Sequence, residues 1–398
     1  MMQVAYVSTY VPKKCGLATY THHLRQNVKD ARWWKGMDPV IVLSDGNDQT
    51  DPGNPALWPL PKEQRDAYAK MADKINQSDV SLVSLQHEFG IFGGEAGAYI
   101  LDFVRQLKKP LITTFHTVFE NPAEPYRSIQ QAIAERSDRI IVMNRKAVAY
   151  LSNAFSIPAE KIAFIPHGTP VPNPQARAEF RNRLRWADRK VMMTFGLLSR
   201  GKGIERIIEI LPDVVRAVPN VLYAIVGQTH PEVKKREGES YRQQLQKLIR
   251  EKRLENHVLM IDRYISEEEL VAYITACDLY ITPYPGMQQI TSGTLAYAVG
   301  LGRPVLTTPY SYAQDLLGDY KQLLIPFDAR SQWVEMMSEL LSHDSVLQQW
   351  EKRMARIGKS MHWPLVGKKH ALLFARTVEM AQEKWQAAGG KQVASVTG

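Results

Sequence analysis

The sequence predicts an α/β protein built from two doubly wound, largely parallel sheets. Three observations carry this expectation. Short, continuously apolar, β-branched runs alternate with amphipathic stretches along the whole chain, as strands do when crossover helices cover both their faces. A length of 398 residues is long for one core and suits two domains. The run Gly168-Thr169-Pro170-Val171-Pro172-Asn173-Pro174 separates two such series, is rich in proline and lacks apolar periodicity, so it reads as a linker.

In the first series, strands are expected over 4–7, 40–43, 80–85, 111–115, 140–143 and 162–165, with helices between them, for example over 63–76 and 97–107. The second series has strands over 191–195, 221–226, 258–261, 279–282, 305–307 and 323–325. Helical patterns dominate after Arg330, and a last helix over 365–385 follows His362-Trp363-Pro364. The expected division is therefore 1–168, then 169–362, then a closing helix within 363–386, then a small, polar and disordered tail over 387–398. No repeat of solenoid period is present.

Composition is that of a globular protein: 44% hydrophobic, 23% charged, mean hydropathy −0.29. A net charge of +9 points to an anionic partner, and nucleic acid, acidic phospholipid and a phosphorylated small molecule all fit it. Two cysteines, Cys15 and Cys277, make no disulfide framework and suit a reducing cytoplasm. The opening residues lack the pattern of a secretory leader, and no apolar run approaches the roughly 18 residues of a membrane span.

In open α/β sheets, ligands sit beyond the carboxyl ends of the strands, so the loops there should carry the chemistry. After the first strand of the second series comes Phe195-Gly196-Leu197-Leu198-Ser199-Arg200-Gly201-Lys202-Gly203, and Ile204 opens a helix. Glycines admit an anion close to the backbone, a helix N-terminus offers unpaired N–H groups, and Arg200 and Lys202 add charge. The pattern reads as a diphosphate cradle; the plainer alternative is a tight turn with a solvated lysine. A second loop, 283–294, ends in Thr291-Ser292-Gly293-Thr294 and leads into another helix. Thr291 or Ser292 suits an N-cap there, which is compatible with an anion site because both use the same N–H groups.

At this point the chain resembles the family 4 glycosyltransferases. Gly300-Leu301-Gly302-Arg303-Pro304-Val305 is similar to that family's Ala-x-Gly-x-Pro-Val ending, and Gly196 with Lys202-Gly203 to its glycine and Lys-Gly loop. Pro12-Lys13-Lys14-Cys15-Gly16 resembles its N-terminal glycine loop, and Thr114-Phe115-His116-Thr117 its histidine motif. Ile165-Pro166-His167-Gly168 resembles its interdomain junction, and Ser360-Met361-His362-Trp363 the turn before its C-terminal helix. The resemblance implies the GT-B fold: two Rossmann-like domains facing across a cleft, with the C-terminal helix crossing back to the first. It implies retaining transfer of a mannose- or glucose-type hexose from a UDP- or GDP-linked sugar to a hydroxyl of a glycan, lipid or small-molecule acceptor.

The resemblance also implies roles. Gly16, Gly196, Gln289, Thr291, Ser292, Gly293, Thr294 and Tyr297 fall at donor-binding positions, and Lys202, Arg200 and His116 at the reaction centre. The family's paired glutamates, eight positions apart, fall here on Gln289 and Tyr297. Gln289 can still bond a sugar hydroxyl, but a single phenol cannot grip two ribose hydroxyls as a carboxylate does. The family arginine of the first loop is Leu197 here, and Arg200 is expected to replace its charge.

The first-domain loop around Cys15 and Gly16 and the segment Gln86-His87-Glu88 are expected to shape the acceptor side, with Cys15, His87 and Glu88 as contacts. A metal shared by His87 and Glu88 is disfavoured, because adjacent strand residues point in opposite directions. No Asp-x-Asp motif stands in a suitable loop, so no protein-bound metal or resident cofactor is expected. Two alternatives share the phosphate loops: a GT-B nucleotide-sugar epimerase or hydrolase, and a catalytically weakened sugar-nucleotide-binding protein. No nucleic-acid module is present. The basic segment 22–35, with Trp33 and Trp34, fits peripheral contact with an anionic bilayer as well as an ordinary surface helix.

Overall fold

A computed structural model of the chain describes residues 2–45 and 54–387. The tail expected to be disordered lies, from 388 onward, outside the described residues. The chain forms two compact units. One runs to Gly168 and resumes at Trp363; the other is Thr169–His362.

The first unit is built on seven parallel strands: β1 Val4–Ser8, β2 Val40–Ser44, β3 Leu57–Pro61, β4 Leu82–His87, β5 Leu111–Phe115, β6 Arg139–Val142 and β7 Ile162–Phe164. Their spatial order is β3-β2-β1-β4-β5-β6-β7. The central strands are apolar throughout because helices cover both faces; every residue of β1, β4 and β5 is buried. β3 escapes the sequence reading. Its Leu-Trp-Pro-Leu-Pro run carries two prolines, which read as a turn, but it is the edge strand, where missing N–H donors are tolerated.

One core of this unit gathers Tyr6, Leu24, Ile112 and Phe374, which joins β1, the helix Gly16–Ala31 and the final helix Trp363–Ala387 around the sheet. The final helix starts two residues before the expected 365, and Pro364 sits in its first turn, where a missing N–H costs little. The segment 22–35 is not one helix: the helix ends at Ala31, where the Arg32 N–H bonds the Val28 carbonyl, and Trp33 and Trp34 lie in the loop that follows.

The second unit carries β8 Lys190–Phe195, β9 Val221–Val226, β10 Val258–Ile261, β11 Leu279–Thr282 and β12 Val305–Thr307, all parallel, in the order β10-β9-β8-β11-β12. The strand expected over 323–325 is absent. Leu324 makes a single bridge to Thr307 and the Ile325 N–H bonds the Thr307 carbonyl at 2.8 Å, but Pro326 follows and has no N–H with which to extend a ladder.

In each sheet the winding direction reverses at one place: between β1 and β4 in the first unit, and between β8 and β11 in the second. Loops leaving neighbouring strands there part to opposite faces, and the carboxyl edge is left open to a ligand.

Candidate functional site

In the second unit the two strands flanking the reversal deliver the two loops singled out in the sequence. Past β8, the chain turns through Gly196 and the short 3₁₀ turn Arg200–Lys202, and Gly203 opens the helix Ile204–Ala217 with φ +60°. A Cβ at Gly203 would lie 2.1 Å from the Pro283 carbonyl oxygen, so only glycine lets this turn rest on the loop leaving β11.

That close approach positions Lys202. Its ammonium donates to the Tyr284 hydroxyl at 2.9 Å and lies 4.3 Å from the centre of the Tyr284 ring. The same ammonium passes over Gly196, where a Cβ would stand 3.3 Å from it. The Tyr284 hydroxyl lies 3.4 Å from the Thr294 hydroxyl, which is itself 3.4 Å from Ser292 Oγ. Ser292 caps the helix Gly293–Gly300, its Oγ accepting from the Leu295 N–H at 3.4 Å. Tyr284 is 2% exposed and stacks on buried Tyr310 at 5.3 Å, which fixes its ring. The structure thus brings together Gly196, Lys202, Ser292, Gly293 and Thr294, through a tyrosine that sequence reasoning missed. Its place two residues past a strand was the available signal.

Three expected site residues sit differently: Arg200, expected at the reaction centre, and Gln289 and Tyr297, expected to bind the donor. Arg200 does not share the partners of Lys202. Its guanidinium donates to Gln244 at 2.8 Å, lies 3.7 Å from Glu237 and covers the Tyr241 ring at 5.4 Å, because it stands at the start of the 3₁₀ turn and Lys202 at its end. Gln289 is exposed, and its amide donates to the Thr291 carbonyl at 2.9 Å. Tyr297 is 7% exposed and donates its phenol to Glu267 at 2.6 Å. Glu267 opens the helix Glu267–Ala276 that follows β10, and nothing in the pattern around Tyr297 announces it.

In the first unit, Cys15 follows β1 and caps the helix Gly16–Ala31, its sulfur accepting from the Ala18 N–H at 3.4 Å and lying 3.2 Å from the Thr9 hydroxyl. A side chain at Gly16 would meet nothing within 4 Å, so the backbone there faces open space. Beyond β4, His87 corrects the expectation of an acceptor contact. It is fully buried, ringed by Phe89, Phe92 and Phe115 at 4.8–5.7 Å between ring centres, and neither nitrogen has a hydrogen-bond partner among the described residues. Burial pushes its pKa down to about 3, so it is neutral. Glu88 follows the last residue of β4 and caps the short 3₁₀ turn Phe89–Ile91. It is half-buried and accepts from Thr117 Oγ1 at 2.6 Å and from the Phe89 N–H at 3.1 Å; burial raises its pKa against these two bonds.

His116, at the end of β5, is partly exposed and bonds Gln86 Oε1 through Nε2 at 3.0 Å. Since that oxygen accepts, Nε2 carries the proton. Burial of the ring, then the neighbouring His167 and His87, push its pKa down to about 3. Tyr20 meets the His116, His167 and Trp363 rings edge-on at 5.0–5.2 Å, and its hydroxyl is buried without a partner among the described residues. This aromatic wall holds His116 in a neutral, hydrogen-bonding state.

Among the described residues, no group of three or more His, Cys, Asp and Glu side chains is placed to hold a metal ion, and no helix is long and apolar enough to cross a membrane.

Comparison with known proteins matches two families along the chain. The family described as Glycosyl transferases group 1 matches residues 176–358, and the one described as Glycosyltransferase Family 4 matches residues 16–171. Over 161 residues the chain is 29% identical to the GDP-mannose-dependent alpha-(1-6)-phosphatidylinositol monomannoside mannosyltransferase of Mycolicibacterium smegmatis, and 26% identical to the Mycobacterium tuberculosis protein of the same name. Each match spans 39% of this chain and 39% of the relative's length. Among solved structures, HepE of Anabaena in complex with UDP and glucose superposes with a TM-score of 0.75 at 15% identity, over 94% of this chain and all of that one. Sucrose-phosphate synthase of Thermosynechococcus elongatus gives 0.76 at 17% identity, over 96% of this chain and all of that one.

Proposed function

The chain belongs to the family 4 glycosyltransferases and has the GT-B fold, and from that premise we propose that it is a retaining hexosyltransferase. It moves a mannose- or glucose-type hexose from a UDP- or GDP-linked donor to a hydroxyl of a glycan, lipid or small-molecule acceptor. The observation that carries this reading is Lys202, held by Tyr284 beside the Ser292–Thr294 helix start, at the carboxyl edge where the sheet reverses. A full positive charge and a helix N-terminus beside each other suit a diphosphate. Two names in the comparisons point the same way: the mycobacterial relatives are called GDP-mannose-dependent, and HepE was solved with UDP and glucose.

In this reading the second unit binds the donor and stabilises charge as it develops on the leaving diphosphate, through Lys202 and the N–H groups at Gly293 and Thr294. No bound metal ion is needed for that task, and activity should persist in EDTA. The bond from the anomeric carbon to the diphosphate oxygen breaks and the bond to the acceptor oxygen forms on the same face. The acceptor proton leaves with the diphosphate. Gln289 and Thr291 bond the hexose. By the family resemblance, Gly16 and neutral His116 are assigned to the reaction centre. Cys15 and Glu88 belong to the acceptor side, so Glu88→Ala should raise the KM for acceptor and leave that for donor unchanged.

Peripheral contact with an anionic bilayer belongs to the same proposal. Trp33 is 65% exposed and Met37 49% exposed, with Lys29 and Lys35 nearby in sequence, a pairing of apolar and cationic groups that suits the inner face of a membrane. The test of function is an assay with UDP-glucose and GDP-mannose, with nuclear magnetic resonance of the product. Transfer with the α-configuration kept supports the reading. An inverted product contradicts retention, and product formed without acceptor favours an epimerase or hydrolase.

A further inference from the structure

We infer that the acceptor side of the first unit takes a neutral hexose ring, held by the carboxylate of Glu88 and an aromatic platform of Phe119 and Tyr126; this rests on the glycosyltransferase reading above and narrows its acceptor to a carbohydrate. β4 and β5 are neighbours in the first sheet, and the loops leaving their carboxyl ends meet. Glu88 follows β4, and its Oε2 accepts at 2.6 Å from Thr117 Oγ1 in the loop after β5. Phe89, 5% exposed, stacks on Phe119 of that loop with ring centres 5.8 Å apart and 21° between planes. Tyr126 opens the next helix and meets both rings edge-on, at 4.9 and 5.7 Å. Thr117 directly follows His116, so the cluster adjoins the residue assigned to the reaction centre.

The two parts of this cluster match the two characters of a sugar. Rigid rings offer apolar surface at little entropic cost, and the C–H-bearing face of a pyranose is what they can cover. Tyr126 is 38% exposed and Phe119 half-buried, so part of the platform is open to a ligand. Phe89 packs against the ring of His87 at 4.8 Å, and the nitrogens of that histidine bond nothing among the described residues, so it serves the cluster as one more ring. Glu88 supplies the polar part. A carboxylate has about four acceptor sites, and among the described residues two are taken, by Thr117 and by the Phe89 N–H at 3.1 Å. The others suit hydroxyl donors. The surrounding charge selects a neutral ligand. In a chain of net charge +9, residues 86–95 and 116–126 contain Glu88, Glu95, Glu120 and Glu124 and no lysine or arginine. Lys62 touches the first loop, but its ammonium bonds the Gly90 carbonyl at 3.3 Å and lies 3.9 Å from Glu63, and Arg127 bonds the Ala154 carbonyl at 3.0 Å. A phosphorylated acceptor is repelled here and a hexose is not.

The test is saturation-transfer nuclear magnetic resonance of the full-length protein, after calorimetry has established which of UDP and GDP binds. With that nucleotide present, the protein is titrated with the methyl glycosides of mannose, glucose, galactose and N-acetylglucosamine. At least one should bind, with saturation strongest on its ring C–H protons, and mannose 6-phosphate and glucose 6-phosphate should not compete with it. Phe119→Ala and Tyr126→Ala should each weaken it about two- to tenfold, the range for one aromatic contact, and Tyr126→Phe should not. Glu88→Gln should weaken it about tenfold, as loss of a hydrogen bond to a charged group does, and nucleotide affinity should be unchanged in all four variants. The octyl glycoside of the same sugar binding about tenfold tighter marks the hexose of a glycolipid, and equal binding a soluble sugar; either supports the inference. No binding by any glycoside, competition by the hexose phosphates, or unchanged affinity in the aromatic variants overturns it while leaving the donor site standing. Should Phe119→Ala fail to fold, Tyr126→Ala decides. Absence of binding by UDP and GDP alike overturns the inference and the function together.

Discussion

In the proposed function, Lys202 is the residue that meets the leaving diphosphate. Its ammonium is restrained by a hydrogen bond and a ring face together, so under that proposal it would meet a diphosphate without first being ordered. Replacing it with alanine or methionine should lower kcat by about 10²–10³, the usual effect of removing one preorganised group that stabilises transition-state charge. A Lys202→Met enzyme with unchanged kcat would remove it from the reaction. Arg200→Ala, by contrast, should leave kcat within a few-fold, because that guanidinium is engaged with Gln244, Glu237 and Tyr241. His87 makes a different prediction. Its folded pKa is about 3 against an ordinary 6.5, so as pH falls below 6.5 the unfolded chain takes up a proton that the folded chain refuses. Stability therefore falls toward acid, by up to about 1.4 kcal/mol per pH unit for each such histidine. His87→Phe should melt no lower than the native protein at pH 7 and should lose less melting temperature between pH 7 and 5. An unchanged acid slope would contradict this.

At the scale of elements, the turn through Gly203 joins the two loops of the candidate site. Gly203→Ala forces a side chain into a left-handed backbone and against the Pro283 carbonyl. We expect a loss of at least about 2 kcal/mol and weakened nucleotide binding. Gly238 has a similar φ, +61°, with nothing within 4 Å of a Cβ, so Gly238→Ala should cost only the backbone term, about 1 kcal/mol. Equal losses in the two variants, read by denaturant titration, would mean that the contact with Pro283 does not matter. These loops were legible in the sequence because glycines, lysine and small hydroxyl residues cluster at strand ends. The direction of Arg200 was not, since two positions along one 3₁₀ turn decide whether it follows Lys202. Glu267 was not legible beside Tyr297 because thirty residues and a different strand separate them. β3 was missed for the converse reason: its prolines are turn signals everywhere except at a sheet edge.

At the scale of the whole molecule, parallel sheets announce themselves, because strands covered on both faces must be apolar along their length, and eleven of the twelve strands among the described residues were read that way. The exception beyond 320 shows the limit: Leu323–Ile325 is as apolar as a strand and fully comparable in composition, but a following proline and a single bridge leave it outside the sheet. Net charge does not choose among anionic partners; in the proposed function the preference for a phosphorylated small molecule rests on the cation at the sheet reversal, which is paired with a helix start. If the protein binds a nucleoside diphosphate there, ligand at a hundred times its Kd should add about 2.7 kcal/mol to stability. The most direct measurement is thermal unfolding of the native protein and of Lys202→Met with UDP, GDP and ADP. The account predicts that UDP or GDP raises the melting temperature of the native chain and that the rise is largely lost in Lys202→Met. No rise with any diphosphate, or the same rise in both proteins, would contradict it.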